Sequence, residues 1–196
     1  MPKMGFISAS MARGVMSRGR GKDEYGETFK ALALSVAAGR IGWDVSTDIS
    51  GLSAVEWGVE NEWLAIRTYE EMELVEVVGS DFIAWGGKFG CTPDGVVGLN
   101  GIIEVKCPLS TNHLGNLIEN KQLDDYYPQM QFELWGMNRE WCDWISFDPR
   151  APEQLQMHVL RVNRDEEYIK TLSARAVACA ELVDEYETIL RKRMGA

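Results

Sequence analysis

The side chains best suited to chemistry lie in two short segments at the middle of the chain, Thr92-Pro93-Asp94-Gly95 and Ile102-Ile103-Glu104-Val105-Lys106-Cys107-Pro108. Glu104 and Lys106 are two residues apart, so on a strand they face one side while Ile103 and Val105 face the other. Asp94 stands at the start of a hairpin. Two carboxylates beside an ammonium are costly in an apolar setting unless something binds them. A divalent cation offsets that cost. Magnesium takes oxygen ligands in octahedral geometry, and Asp94, Glu104 and the carbonyl of Val105 supply them together with water. Lys106 then orients or helps deprotonate an attacking water and offsets charge on a phosphorus centre in its transition state. The plain alternative is an edge-strand ion pair between Glu104 and Lys106 beside a turn-forming Asp94.

Positioning such a site takes a hairpin and the helices around it. Residues 96–99, a turn at Asn100-Gly101 and residues 102–107 read as that hairpin, which Pro108 ends. Short extended runs between 74 and 85, a turn at Gly86-Gly87 and a strand over 88–92 precede it. Upstream, a short helix is expected over 6–17, starting near Ser8 or Ser10. A stronger one covers 23–38, with Phe29, Leu32, Ala33 and Val36 at helical spacing and Gly39 as its stop. Residues 54 to about 72 read as an amphipathic helix with Val59, Trp63 and Ile66 in its apolar stripe and Tyr69 and Leu64 as further candidates for it. Glu60 lies beside that stripe, where a helix can aim it into a cleft. Downstream, Tyr127, Met130, Leu134 and Trp135 place a helix over 124–137, followed by strands over 142–147 and 156–162 and a long charged helix from 164 to about 193. The order gives a single α+β (mixed α/β) domain over 1–196, without repeats or low-complexity linkers.

The 196 residues are 45% hydrophobic and 26% charged, ordinary for a folded domain and wrong for disorder or a coiled-coil rod. No 18 apolar residues run together, which excludes a membrane-spanning helix. The basic opening segment is too interrupted by polar residues and glycine for a signal-peptide core, so the expected location is the cytoplasm. Cys91, Cys107, Cys142 and Cys179 form no C-x-x-C pair and read as reduced thiols, not as a zinc or redox motif. No G-x-x-x-x-G-K-[ST] supports ATP-driven movement. A net charge of −10 argues against a bulk nucleic-acid coat. The charge is uneven, however. Residues 1–22 carry Lys3, Arg13, Arg18, Arg20 and Lys22 with no acid, whereas 51–81 hold eight acids against Arg67 alone. A local basic edge still focuses a phosphate on an acidic protein.

In this context the central segments resemble the PD-(D/E)xK nuclease superfamily, and within it the phage lambda exonuclease or YqaJ-type viral recombinase family. Pro93-Asp94 and Glu104-Val105-Lys106 match the superfamily motif, and the run CTPDGVVGLNGIIEVKCP looks like the family's central hairpin. Trp57-Gly58-Val59-Glu60-Asn61-Glu62 resembles the helix bearing the first active-site glutamate, assigned here to Glu60. Tyr127-Pro128-Gln129-Met130-Gln131-Phe132 looks like the glutamine-bearing helix, where Gln129 or Gln131 positions water or substrate phosphate. Two apart on a helix, they cannot both face the site. The place of Gln129 in the resembling segment favours it. Residues 144–168, with Phe147-Asp148-Pro149-Arg150, extend the likeness over nearly the whole chain.

The resemblance implies a restriction-endonuclease-like core, a central mixed sheet flanked by helices. It implies a magnesium-dependent exonuclease, with manganese as a substitute, that degrades one strand of linear double-stranded DNA from its 5′ end. The products are mononucleotides and a 3′ overhang used in phage recombination. Two metals would share Asp94, with Glu104 and Val105 completing one site and Glu60 helping to hold the other. It further implies a homotrimeric ring, a single-strand annealing protein as partner and a phage or prophage origin in a bacterial host. A 5′-phosphate pocket would use Ser10 and Thr92, with Lys3 in roughly the place of the family's arginine. Lysine lacks the guanidinium's bidentate fork. The competing readings are a DNA-end or structure-specific endonuclease with the same metal core and a non-enzymatic interaction module. An iron-sulfur nuclease of Cas4 type is disfavoured by the cysteine spacing.

Overall fold

The computed structural model describes residues 4–19, 24–45 and 53–195. From the N-terminal side, a two-residue strand β1 (Ile7–Ser8) leads through a 3-10 turn into the short helix α1 (Ala12–Met16), then to α2 (Glu27–Arg40) and α3 (Ser53–Glu73). Short strands follow at β2 (Val77–Val78), β3 (Ile83–Trp85), β4 (Phe89–Cys91) and β5 (Gly95–Val97), then the longer β6 (Gly101–Lys106). Helices α4 (Ser110–Glu119) and α5 (Leu123–Met137) separate it from β7 (Trp141–Phe147). Strand β8 (Met157–Asn163) precedes the long α6 (Glu166–Met194), which Asp165 caps by accepting the Tyr168 N–H.

Five strands form a mixed sheet in the order β2-β5-β6-β7-β8. Only β6 and β7 run parallel among them, and a parallel pair needs a crossover, which α4 and α5 supply. Each face of this sheet meets a different helix. Ile103 and Val105 of β6, with Ile145 and Phe147 of β7, pack against Ala65 and Tyr69 of α3. Ile102, Cys142 and Trp144 point the opposite way, against Met130 and Leu134 of α5. Period-two alternation thus puts Glu104 and Lys106 on the α5 side. A second, three-stranded sheet, β1-β4-β3, ties the N-terminal segment to a core of Phe29, Ala33 and Val36 from α2 and Leu172, Ala176 and Val183 from α6.

The mixed sheet with flanking helices agrees with expectation, and so does the single long C-terminal helix. Three local readings change. The helix expected over 6–17 begins as β1, because Ile7 and Ser8 pair in parallel with Phe89 and Gly90. Helix α4 has no counterpart in the sequence reading. Its inward face is polar, His113 and Asn116, while Leu114 and Ile118 are exposed. The α3 stripe is also rotated. Val59 and Trp63 are 69% and 64% exposed, whereas Ala65 and Tyr69 are buried.

Candidate active site

The site forms at the C-terminal end of β6, where its antiparallel partner β5 has not yet begun. Gly95 pairs with Ile103, and continuing that antiparallel register by one residue sets Asp94 opposite Glu104. Opposite residues share a face of the sheet. Gly95 permits the neighbouring strand to close in, since a Cβ there would lie 2.2 Å from Val77 Cγ1. The backbone N–H of Val105 donates to Asp94 Oδ2 at 2.7 Å and pins the aspartate to β6. Glu104, 1% exposed, accepts at Oε1 from the Lys106 ammonium at 2.5 Å and from Gln129 Nε2 at 2.7 Å. Its second oxygen, Oε2, is buried and has no hydrogen-bond partner among the described residues. The Lys106 ammonium also lies 4.8 Å from the centroid of the Tyr126 ring.

Electrostatics follow from this crowding. Burial pushes the Glu104 carboxyl up to about 7; Lys106 opposes the shift and Asp94 adds to it. Desolvation works against the Lys106 ammonium, but Glu104 and Asp94 outweigh it and hold the amine above its ordinary value. Lys106 therefore carries its proton. Glu62 of α3 is raised by burial and then by the charge of Asp94, so it faces the same centre from the opposite layer. A cleft of about 430 Å³ brings Glu62, Val105, Lys106 and Tyr126 onto one surface. A larger hollow of about 700 Å³ between α1 and α6 contains none of these groups.

A family profile, the YqaJ-like viral recombinase domain, matches residues 3–140, a stretch that contains every one of these side chains. The chain belongs to the YqaJ-like viral recombinase family. Among solved structures it is similar to an alkaline exonuclease (LHK-Exo) from Laribacter hongkongensis, at 28% identity and a TM-score of 0.85, covering 98% of this chain and 95% of that one. The same exonuclease in complex with dAMP aligns with a TM-score of 0.84. A phage related exonuclease from Haemophilus somnus 129PT shares the fold, at 15% identity and a TM-score of 0.77 over 96% of each chain. No curated protein matches the sequence. The architecture of this viral recombinase domain is accordingly the PD-(D/E)xK nuclease fold.

Within the family fold, the expected residues separate into three groups. Asp94, Glu104, Val105, Lys106 and Gln129 come together as described. Ser10 and Thr92 also meet, lining with Ser8, Cys91, Gln129 and Glu133 a cavity of about 110 Å³. The hydroxyls of Ser8 and Ser10 are 3.0 Å apart, and Thr92 Oγ1 is buried without a partner among the described residues. Lys3 lies outside the described residues. Two assignments are corrected. Glu60 is exposed beside Val59, and Glu62 replaces it at the centre. Two residues are 200° apart on a helix, and Glu62 stands three and seven residues before the buried Ala65 and Tyr69. Counting the stripe from Ala65 and Tyr69 would have found it. Gln131 points away from the site. It donates to the Asn163 carbonyl and accepts the Asp165 N–H, both at 2.9 Å, fastening α5 to the start of α6.

The family's centre suits a hard cation. Glu62, Asp94 and Glu104 bring three carboxyls to one ammonium, and the orphaned Glu104 Oε2 is a buried acceptor awaiting a cation or donor. Among the described residues no three acidic, histidine or cysteine side chains form a complete cage. A hard divalent cation that keeps several waters asks for no such cage. The thiols take no part. Burial pushes Cys91 and Cys107 up to about 12.

Proposed function

We propose that this protein is a magnesium-dependent 5′-to-3′ exonuclease that digests one strand of linear duplex DNA to mononucleotides and leaves a 3′ single-stranded overhang. The coarser part, a nuclease acting on DNA, follows from the family and from the exonuclease relatives. The finer part is carried by one observation. The hydroxyl-lined cavity of Ser8, Ser10 and Thr92 shares Gln129 with the carboxylate centre, so a phosphate-sized end group and the reacting phosphodiester fit side by side. A subsite for a terminal group beside the centre would select ends over interior positions.

Asp94, Glu104 and the Val105 carbonyl would hold one ion, and Asp94 with Glu62 would help hold a second; manganese satisfies the same oxygen donors. Bound there, such ions lower the pKa of water and neutralise charge on the phosphoryl oxygens. The protein's own groups do the rest. Held beside Glu104 and Asp94, Lys106 contributes positive charge and a hydrogen-bond donor. Gln129 sits between Glu104 and the end-group cavity, where it orients water or phosphate. A 5′-phosphate requirement, a homotrimeric ring, a single-strand annealing partner and phage recombination belong to the same reading and rest on the family likeness.

Linear duplex DNA labelled at either end, incubated with and without magnesium, tests it beside Asp94→Ala and Lys106→Ala. Release of the 5′ label as mononucleotide, dependent on magnesium and lost in both variants, is the expected result. Cleavage of closed circular DNA would replace the exonuclease by an endonuclease, and inactivity in every metal would favour the interaction module.

A further inference from the structure

The proposed reaction leaves unused a buried acid that touches Gln129. Glu133 lies on α5 one turn after Gln129, is 1% exposed, and lines the cavity that also holds Ser8, Ser10 and Thr92. Its Oε1 accepts from Gln129 Nε2 at 3.2 Å, and its Oε2 is buried without a partner among the described residues. The same Gln129 nitrogen donates to Glu104 Oε1 at 2.7 Å. A primary amide nitrogen carries two hydrogens. Both are therefore taken, one by the catalytic carboxylate and one by Glu133. The only polar atom Gln129 has left for a ligand is its carbonyl oxygen. Turning the amide over would bring that oxygen against two carboxyl groups and forfeit both bonds.

We propose that Glu133 is a positioning residue that acts through Gln129. It locks the amide so that Gln129 presents an acceptor to the reaction space, where it takes a hydrogen bond from water and does not donate to a substrate phosphate. A phosphate oxygen only accepts, so a locked carbonyl repels it, whereas the attacking water has protons to give. The lock holds at either charge of Glu133, because Glu104 Oε1, which also accepts from the Lys106 ammonium, has no proton to give a turned amide oxygen. Burial and the neighbouring Glu104 hold its carboxyl well above the ordinary range, and a neutral acid still offers a carbonyl oxygen to the Gln129 N–H. The inference rests on the nuclease reading, which it deepens by assigning Gln129 to water.

The test compares the full chain with Glu133→Met, which keeps volume but removes the acceptor, and Glu133→Gln, which keeps a carbonyl. Glu133→Ala stands in if the Met variant fails to melt cooperatively. On linear duplex with magnesium, Glu133→Met is expected to lower kcat by about ten- to a hundredfold with KM for DNA ends within about twofold, and Glu133→Gln to recover most of the rate. A raised KM with kcat intact would make Gln129 a phosphate ligand and overturn the proposal. So would a Met variant as active as the parent, or a Gln variant as impaired as the Met variant. Side-chain amide signals of glutamine-labelled protein supply a readout that needs no turnover. The Gln129 NH2 protons should exchange slowly in the parent and in Glu133→Gln and rapidly in Glu133→Met. Equal exchange in all three overturns the lock even if the protein cleaves DNA; the expected pattern in a protein that cleaves nothing upholds the lock and sinks the nuclease reading instead.

Discussion

Asp94 and Glu104 stand opposite one another across the β5–β6 pair, and the Val105 N–H fixes the aspartate at 2.7 Å while Lys106 fixes the glutamate at 2.5 Å. The two carboxyls are thus held by adjacent residues of a single strand. Their spacing is a property of β6, which is buried between α3 and α5 and flanked by β5 and β7. Rigid placement in a dry environment is what a charged transition state needs, and it costs the resting protein stability.

That cost sets a pH dependence. The folded-state pKa of Glu104, about 7, lies above the ordinary 4.5, so the folded form holds this proton more tightly than the unfolded chain does. Its contribution to stability is full below about 4.5 and is lost as pH rises through about 7. Melting in a chelator across that range should show declining stability for the parent and a flatter curve for Glu104→Gln. A parent whose stability is flat or rises between those values contradicts the burial argument.

Magnesium should reverse the decline. Only ionised carboxylates bind the cation, so the gain in melting temperature on adding magnesium should be larger at about pH 8 than at about pH 5.5. Asp94→Asn, which leaves the Val105 N–H an acceptor but removes the charge, should abolish most of that gain. Equal stabilisation of parent and variant would place the cation elsewhere.

The two glutamates of α3 make opposite forecasts. Glu62→Gln is expected to reduce cleavage about a hundredfold or more, and Glu60→Gln to stay within about twofold of the parent. Both should melt near the parent, since one is exposed and the other is relieved of a buried charge. The reverse ranking would return the role to Glu60.

Those glutamates also mark where sequence stops being legible. The hairpin with its Asp94, Glu104 and Lys106 follows from turn residues and period-two alternation, and the long terminal helix from helical spacing, all of which are local. The inward face of α3 is not local. Val59 and Trp63 are apolar at helical spacing, yet they face solvent, because the packed face is chosen by what β6 and β7 present to Ala65 and Tyr69. Helix α4 escaped for a related reason. It docks through hydrogen bonds, His113 and Asn116 meeting the Ser146 hydroxyl at 2.9 Å each, while Leu114 and Ile118 face solvent, so the packed face is not the apolar one. Gln129 and Gln131 could be recognised as alternatives, but only the packing of α5 decides which one looks at Glu104.

Gln131 should accordingly behave as a structural residue. Its two hydrogen bonds, both part-buried, join backbone groups of Asn163 and Asp165, and truncation removes both, at about 1–3 kcal/mol each at most. Gln131→Ala is expected to lower the melting temperature clearly while cleavage measured well below that temperature is retained. Loss of cleavage in a fully folded variant would move Gln131 into the site.

Thr92 offers the sharpest probe of the end-group cavity. Its hydroxyl is buried with no partner among the described residues, so in the free protein it is a liability that valine, nearly the same shape, removes. Thr92→Val should therefore melt at or slightly above the parent. If the cavity takes a 5′ phosphate, the same change deletes a donor to that phosphate. KM for phosphorylated duplex ends should then rise by about tenfold, with ends bearing a 5′ hydroxyl little affected. Ser10→Ala should act in the same direction, because Ser10 shares the cavity and its hydroxyl lies 3.0 Å from that of Ser8. Stability and end selection move oppositely in this forecast, which separates recognition from folding. A Thr92→Val protein that keeps the parent's preference for phosphorylated ends leaves the cavity without a role in choosing them.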